Sequence, residues 1–430
     1  MGLLLISILV ILTAINYCLS RDIRYPPIIF GVLWLGVMAV YYFKPISIDP
    51  ISVYTEIVIL ISALTFSTSG ALLLLGSRRT VRISPTPFSR SRWDSSLHTR
   101  PVVKKILFYL SLLLFPVLLM KAVELSEQSG VDNFFIGLRL QLTTVDAPGY
   151  GVIGNASIIS FFTTFIYALD GRHGSGDRKY FYLSLLISTA YAILGTGRTP
   201  IFFLIVVLIG ISMMKAELST KKLIGGVVLF LVSFIAFAVV LGKGGDLALS
   251  WTDNLEGITE TFFGYLLGPI PAFDTLVSGG TPLAYGENTF SGLLNVFYRV
   301  TGDRLISPIQ EEVLVPFPVN VYTGLQPLYQ DFGAAGVVIG LFAIGLMTNY
   351  LYLRARLGKN LYIYFYALAL FPLCLSIFSD QYFAPIISWI KYVAAGYFYF
   401  HVFGEKDVVG RRRWTENGSN TSDTHPTNQH

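Results

Sequence analysis

Long apolar runs, each about the length of a membrane-crossing helix, recur along this chain with short polar breaks between them. A hydrocarbon core of roughly 30 Å needs about 20 such residues per helix. The first three runs are Gly2–Ser20, Tyr25–Phe43 and Ile51–Gly76. Five more fall near 106–123, 151–169, 180–196, 199–214 and 223–241, and three near 333–353, 361–378 and 384–402. None alternates with the period of a membrane β-strand, which excludes a β-barrel. Gly2–Ser20 lacks a basic leader and a small-residue cleavage site, so it reads as a retained helix. Between the eighth and ninth runs, about 242–331, the chain is too polar and too broken by Pro and Gly to span. The pattern predicts an all-α polytopic membrane protein of about 11 transmembrane helices with one large external loop. Its parts are helices one to eight (1–241), the loop (242–332), helices nine to eleven (333–403) and a polar, disordered tail (404–430).

Composition agrees: 53% of residues are hydrophobic and 13% charged, and the mean hydropathy is +0.62, outside the soluble norm. The placement of charge says more. The segment after the third run carries Arg78, Arg79, Arg82, Arg90, Arg92, Arg100, Lys104 and Lys105 against Asp94 alone. Odd-numbered loops and the tail hold 23 basic residues and even-numbered loops seven. The positive-inside rule then makes the odd side cytoplasmic and the long loop external. With eleven spans the N-terminus is external too, and a missed or re-entrant helix near 125–150 would change that parity. The net charge of +5 is thereby a topology determinant and gives no reason to expect nucleic acid as a partner. From Gly242 to Asp331 there are ten carboxylates against three basic residues, which sets the external arginines apart.

Several chemistries are excluded or unsupported. Cys18 and Cys374 lie in apolar runs, where packing is their expected role, and no CxxC or Cys/His spacing forms a metal or redox site. His98, His173, His425 and His430 map to the cytoplasmic side and His401 to the cytoplasmic end of the last run. An external His base, a His triad and an HExxH zinc site are set aside. No GxxxxGK[ST] is present, and GTGRTP (195–200) makes a tight turn between two runs rather than a dinucleotide loop. No metal and no cofactor is expected.

The candidate chemistry rests on arginines, acids and aromatics outside the membrane. Arg139 lies in FFIGLRLQLTT, Arg198 in the GTGRT turn, and Arg299 and Arg304 in the long loop. A guanidinium fork suits phosphate oxygens in two-point contacts; otherwise each arginine pairs with a carboxylate or snorkels to headgroups. Arg198 stands at a short interhelical turn at membrane depth, where charge is costly and tends to be functional. Arg304, beside Asp303, also reads as a solvated surface pair. Asp331, at the entry to span nine, reads either as an N-terminal helix cap or as a base or orienting carboxylate. Glu287 in YGENTF is the other carboxylate of interest; Glu311 and Glu312 read as a solvated face. Tyr285, Phe290, Tyr298, Tyr322 and Tyr329 could stack on sugars or form an interfacial belt.

At these residues the chain resembles the O-antigen and oligosaccharide repeat-unit polymerases of the Wzy type. The matching residues are Gly286, Asn288–Phe290, Arg299, Asn320–Thr323 and Tyr329–Gly336, together with the GTGRT turn. An arginine-to-glycine spacing of some members is absent: after Arg139, Tyr150 stands in the glycine's place, between Gly149 and Gly151. The resemblance implies a GT-C-like glycosyltransferase of the bacterial inner membrane, acting at the periplasmic face without nucleotide sugar or metal. It would polymerise undecaprenyl-diphosphate-linked repeat units for lipopolysaccharide. Arg198, Arg299, Asp331 and Glu287 would be catalytic, and Arg139, Arg304, Asn288, Asn320, Tyr322 and Tyr329 substrate-binding. Lipid-linked glycans, membrane lipids and a chain-length regulator protein would be its partners. A lipid-linked oligosaccharide flippase is the alternative, although no paired repeat of the transporter kind is visible, and Glu56 and Lys391 are the clear intramembrane charges.

Orientation is testable. Of two engineered cysteines, Ser278→Cys is expected to react with a membrane-impermeant thiol reagent in intact spheroplasts and Ser91→Cys is not; the opposite result would overturn the topology.

Overall fold

The computed structural model describes residues 2–80, 101–144, 147, 149–170, 175–215, 221, 225–226, 251–280, 282–302, 305–307 and 310–403. Most of the basic segment 77–105, nearly all of the expected eighth span, Arg304 and the tail lie outside the described residues. In chain order the helices are α1 (Gly2–Ser20), α2 (Pro26–Phe43), α3 (Val53–Thr80), α4 (Pro101–Gln128), α5 (Phe134–Thr143), α6 (Asn155–Asp170), α7 (Ser175–Leu194) and α8 (Arg198–Met214). Then come α9 (Trp251–Leu267), α10 (Pro269–Ser278), α11 (Ser291–Thr301), α12 (Gln326–Ala355), α13 (Asn360–Leu375) and α14 (Ile386–Val402). Between α11 and α12 a small antiparallel hairpin pairs β1 (Val313–Leu314) with β2 (Pro318–Val319).

Among the described residues, six helices are long and apolar enough to cross a membrane: α1, α2, α3, α4, α6 with its preceding turn, and α12. The architecture is that of an all-helical polytopic membrane protein. α8 and α13 are shorter apolar helices of 17 and 16 residues. Only 22% of the apolar window of α1 and of α4 is buried, against 50% for α2 and α3. Exposed Leu3, Ile11, Leu113 and Met120 on these outer helices form apolar surface that a bilayer would cover. Cys18 lies on the exposed side of α1, not in packing as its apolar setting suggested, whereas Cys374 is half-buried.

The seam between α3 and α12 is the most extensive helix contact. A Cβ at Gly345 would collide with Ser69 Oγ; small residues there let the two backbones approach. α8 packs on α13, and α6 between α4 and α7. The interval 125–150 contains the short α5. Ten residues at 1.5 Å each reach about 15 Å, half a bilayer core. α5 packs on α4, and α4 and α6 remain antiparallel, since Lys104 near the start of one pairs with Asp170 at the end of the other at 2.7 Å.

Polar networks gather at the two ends of the bundle. At one end Asp22 takes Arg24 Nε at 2.7 Å and Tyr352 Oη at 2.7 Å, while Arg24 Nη1 donates to Met213 O at 3.3 Å. At the other, Asp274 of α10 accepts from Ser52 N at 2.9 Å and Thr55 Oγ1 at 2.6 Å, beside the cap of α3, where Ser52 Oγ accepts from Thr55 N at 3.3 Å. The expected external interval is largely helical. Its Leu267, Ile270, Phe273, Leu325 and Leu328 are buried in the main core. Their helices are short and interrupted, so the pattern of apolar residues gave no spanning signal there.

α12 is broken at Gly333, whose φ of 64° and ψ of −156° are non-helical and essentially reserved to glycine. The expected ninth span thus starts where the helix resumes, and residues 326–332 form a separate buried turn. Gly333→Ala would meet only ordinary contact with Leu283, so its cost is backbone strain, about 1–3 kcal/mol. The apparent Tm of the purified protein in detergent should fall. Gly36→Ala on α2, where a methyl meets nothing within 4 Å, should leave Tm unchanged or raise it.

Candidate functional site

Two of the arginines singled out in the sequence come together at the GTGRT turn. Arg198 opens α8, with Gly197 as N-cap. Its guanidinium lies over the ring of Tyr265 in α9, 4.5 Å from the centroid, a cation–π contact. Arg139 on α5 donates from Nη1 to Thr196 O at 3.1 Å, and its charge acts repulsively on Arg198. α5 forms there because Asn133 caps it, accepting from Phe135 N at 3.0 Å and Ile136 N at 3.2 Å. Tyr150 Oη donates to Leu194 O at 2.7 Å and ties the preceding loop to the same turn. The result is a pair of like charges at the end of an apolar bundle, an arrangement suited to a polyanion.

Asp331 is fully buried and clamps the YGENTF loop to α12. Oδ1 accepts from Asn288 N at 3.1 Å and Asn288 Nδ2 at 2.9 Å, and Oδ2 from Thr289 N at 2.6 Å. Ala284 N and Tyr285 N bond to Gln330 O and Asp331 O at 3.1 and 3.2 Å. The cap reading of Asp331 needs correction: Leu325 is the N-cap of α12, and the carboxylate caps a different segment. The two halves of the sequence resemblance, 284–289 and 327–331, are therefore one packed unit.

The other candidates are placed less centrally. Glu287 and Arg299 are exposed, Arg299 in the last turn of α11, and neither has a described contact with the arginine pair. Tyr322 is buried and donates to Glu311 O at 3.1 Å. Tyr329 is half-buried edge-on to Phe273, with ring centroids 5.5 Å apart. Both therefore pack rather than present a face for stacking. Asn320 is exposed; Arg304 lies outside the described residues.

Two cavities share the wall formed by Asn320 and Val321. The larger, about 480 Å³, is bounded by Tyr265, Glu260, Glu312 and the Pro316–Pro318 turn, among others. It thus reaches the ring on which Arg198 rests. The smaller, about 240 Å³, includes Asn288, Gln326, Asp380 and Gln381 in its lining. Asp380 accepts from Tyr382 N at 2.8 Å, Phe383 N at 3.1 Å and Ala384 N at 2.8 Å. Burial pushes its carboxyl above the usual value, against the pull of those N–H groups. Sequence reading missed Tyr265 and Asp380. Asp380 had a signal, an Asp just before an apolar run, which is a helix-start position. Tyr265 had none, since only the fold brings it to Arg198.

A model of a family of unknown function, DUF6337, matches residues 100–400. An O-antigen polymerase of Shigella dysenteriae is 29% identical over 255 residues, 56% of this chain and 59% of that protein. The match therefore spans less than two thirds of that relative's length. No solved structure matches.

The Asp331 clamp predicts a structural phenotype. Asp331→Ala leaves the N–H groups of Asn288 and Thr289 without their acceptor, at about 1–3 kcal/mol for each that stays buried. Limited proteolysis should cut the 282–290 loop faster and Tm should fall, whereas Tyr285→Ala, at an exposed position, should change neither.

Proposed function

The chain belongs to that family of unknown function, and from its site we propose that it is a membrane glycosyltransferase of the O-antigen polymerase kind. It transfers a growing glycan from undecaprenyl diphosphate to the terminal sugar of a new lipid-linked repeat unit, at the periplasmic face of the inner membrane. A GT-C-like arrangement and a chain-length regulator as partner belong to the same reading. The similarity to the Shigella polymerase supports it.

The observation that carries it is the meeting of Arg139 and Arg198 at one turn. A polyprenyl diphosphate has its chain in the bilayer, its charge at the surface and its sugars outside. The guanidinium pair sits at the end of an apolar bundle, the depth at which that charge would lie. As the bond from the anomeric carbon to the diphosphate oxygen breaks, negative charge grows on the leaving group. Fixed donors aimed at that charge lower the barrier. Tyr265 holds the Arg198 plane in place. Glu287 and Arg299, both exposed, are left to contact the glycan outside the lipid.

Deletion should abolish long chains and leave single repeat units on the core or on carrier lipid; units trapped on the cytoplasmic leaflet would instead support a flippase. Arg198→Ala should cost about a hundred- to a thousandfold in rate, roughly 2.7–4 kcal/mol. Arg198→Lys keeps the charge but loses the two-point fork, so it should be strongly impaired as well. Polymer length in cells with matched membrane levels is the readout, and full-length polymer from Arg198→Ala would remove this residue from the mechanism.

A further inference from the structure

The 240 Å³ cavity has a chemistry opposite to that of the arginine pair. Among the described residues, no lysine or arginine lines it. Several of its amides use one N–H within the protein and keep the second. Asn288 Nδ2 bonds Asp331, Gln326 Nε2 bonds Gln330, and Gln381 Nε2 bonds Ser379 Oγ at 3.2 Å. The side-chain oxygens of Asn288, Gln326 and Gln381 are acceptors beside the carboxylate of Asp380, their remaining N–H groups are donors, and Gln310 in the lining offers both. Asn320 adds an amide with both capacities. A lining of neutral amides and hydroxyls with one carboxylate, and no cation among the described residues, gives phosphate no counter-charge and suits a ligand whose surface is hydroxyls.

The volume equals about eight water molecules' share of liquid, room for one sugar ring. The position fits as well. Asn320 and Val321 divide this cavity from the one that reaches Tyr265. The rings of Tyr265 and Phe378 are 6.1 Å apart, and Phe378 lies two residues before Asp380. The backbone around the cavity is fixed by the Asp331 clamp on one side. On the other, three N–H groups on Asp380 and the bond from Trp389 Nε1 to Gln381 O at 2.8 Å hold it.

We propose that this cavity is a sugar subsite for the lipid-linked glycan, binding one ring through hydroxyl donors to Asp380, Gln381 and Gln326. The inference deepens the polymerase reading and rests on it for the identity of the ligand. It separates the two tasks by charge: the arginine turn takes the diphosphate and the amide-lined cavity takes a sugar.

The test uses full-length protein purified in detergent, with Ser291→Cys in the cavity wall on a Cys18→Ser, Cys374→Ala background. The probe is the repeat-unit oligosaccharide freed of lipid and diphosphate by mild acid. At about ten times its Kd it should slow maleimide labelling about tenfold. Inorganic pyrophosphate should give no protection, and Gln381→Ala or Asp380→Asn should raise the glycan concentration needed. Ala384→Cys, on the same wall, repeats the measurement if the first variant does not fold. Absence of glycan protection, equal protection by pyrophosphate, or protection by calcium chloride alone would each overturn the proposal. Polymer made in cells without glycan protection sinks the subsite alone. Protection without polymer sinks the polymerase reading and leaves a sugar site.

Discussion

Backbone N–H groups at the chain's reversals need acceptors, and in this protein four aspartates supply them. Asp22 accepts from Arg24 N at 3.0 Å and Asp274 from Ser52 N. Asp331 takes Asn288 N and Thr289 N, and Asp380 takes three successive N–H groups before α14. A helix buried in an apolar slab cannot leave its end groups to water. Three of them also tie segments that are distant in sequence: Asp22 to Tyr352, α10 to the start of α3, and the YGENTF loop to α12. Remove these acceptors and the helices keep their apolar faces but lose the register of the loops above them.

That constraint also divides the chemistry. A carboxylate whose oxygens already receive several N–H bonds is held rigid, which makes it a good anchor and a poor mobile base. Asp331, with three donors and no exposure, is the extreme case. The arginines are under no such obligation. Arg139 and Arg198 are held near each other in spite of their repulsion, Arg139 bonding a carbonyl of the turn and Arg198 lying over the Tyr265 ring. A local conflict that the rest of the fold tolerates is where function is expected.

Much of the fold was legible because spanning helices have a long-range pattern. The starts of α1, α2 and α8 fall where the apolar runs begin, and the break at Gly333 falls where the ninth run opens. The helices of 251–301 were not legible, because 10 to 17 residues of mixed character carry no spanning signal and depend on burial against the bundle. Arg198 could be singled out from its turn alone, and Arg139 from its charge. Their meeting could not, since it depends on α5 lying against the turn. Asp380 was hidden by attention to the long interval, although its place before an apolar run marks a helix start. Tyr265 depends wholly on tertiary contact.

The two cavities give this arrangement a direction. Glycosyl transfer between lipid-linked partners must hold two similar glycans at once and keep their roles distinct. Shape alone discriminates poorly between two copies of one repeat unit, whereas charge discriminates by the presence of the diphosphate. On the proposed reading, a diphosphate is drawn to the arginine turn and disfavoured by the amide-lined cavity beyond Asn320 and Val321, which has no cation among its described residues. A terminal sugar finds the reverse. On this account the order of substrates is set by electrostatics built into the fold: cations at the helix end, and beyond them a cavity of neutral amides and a carboxylate with no cation among its described residues.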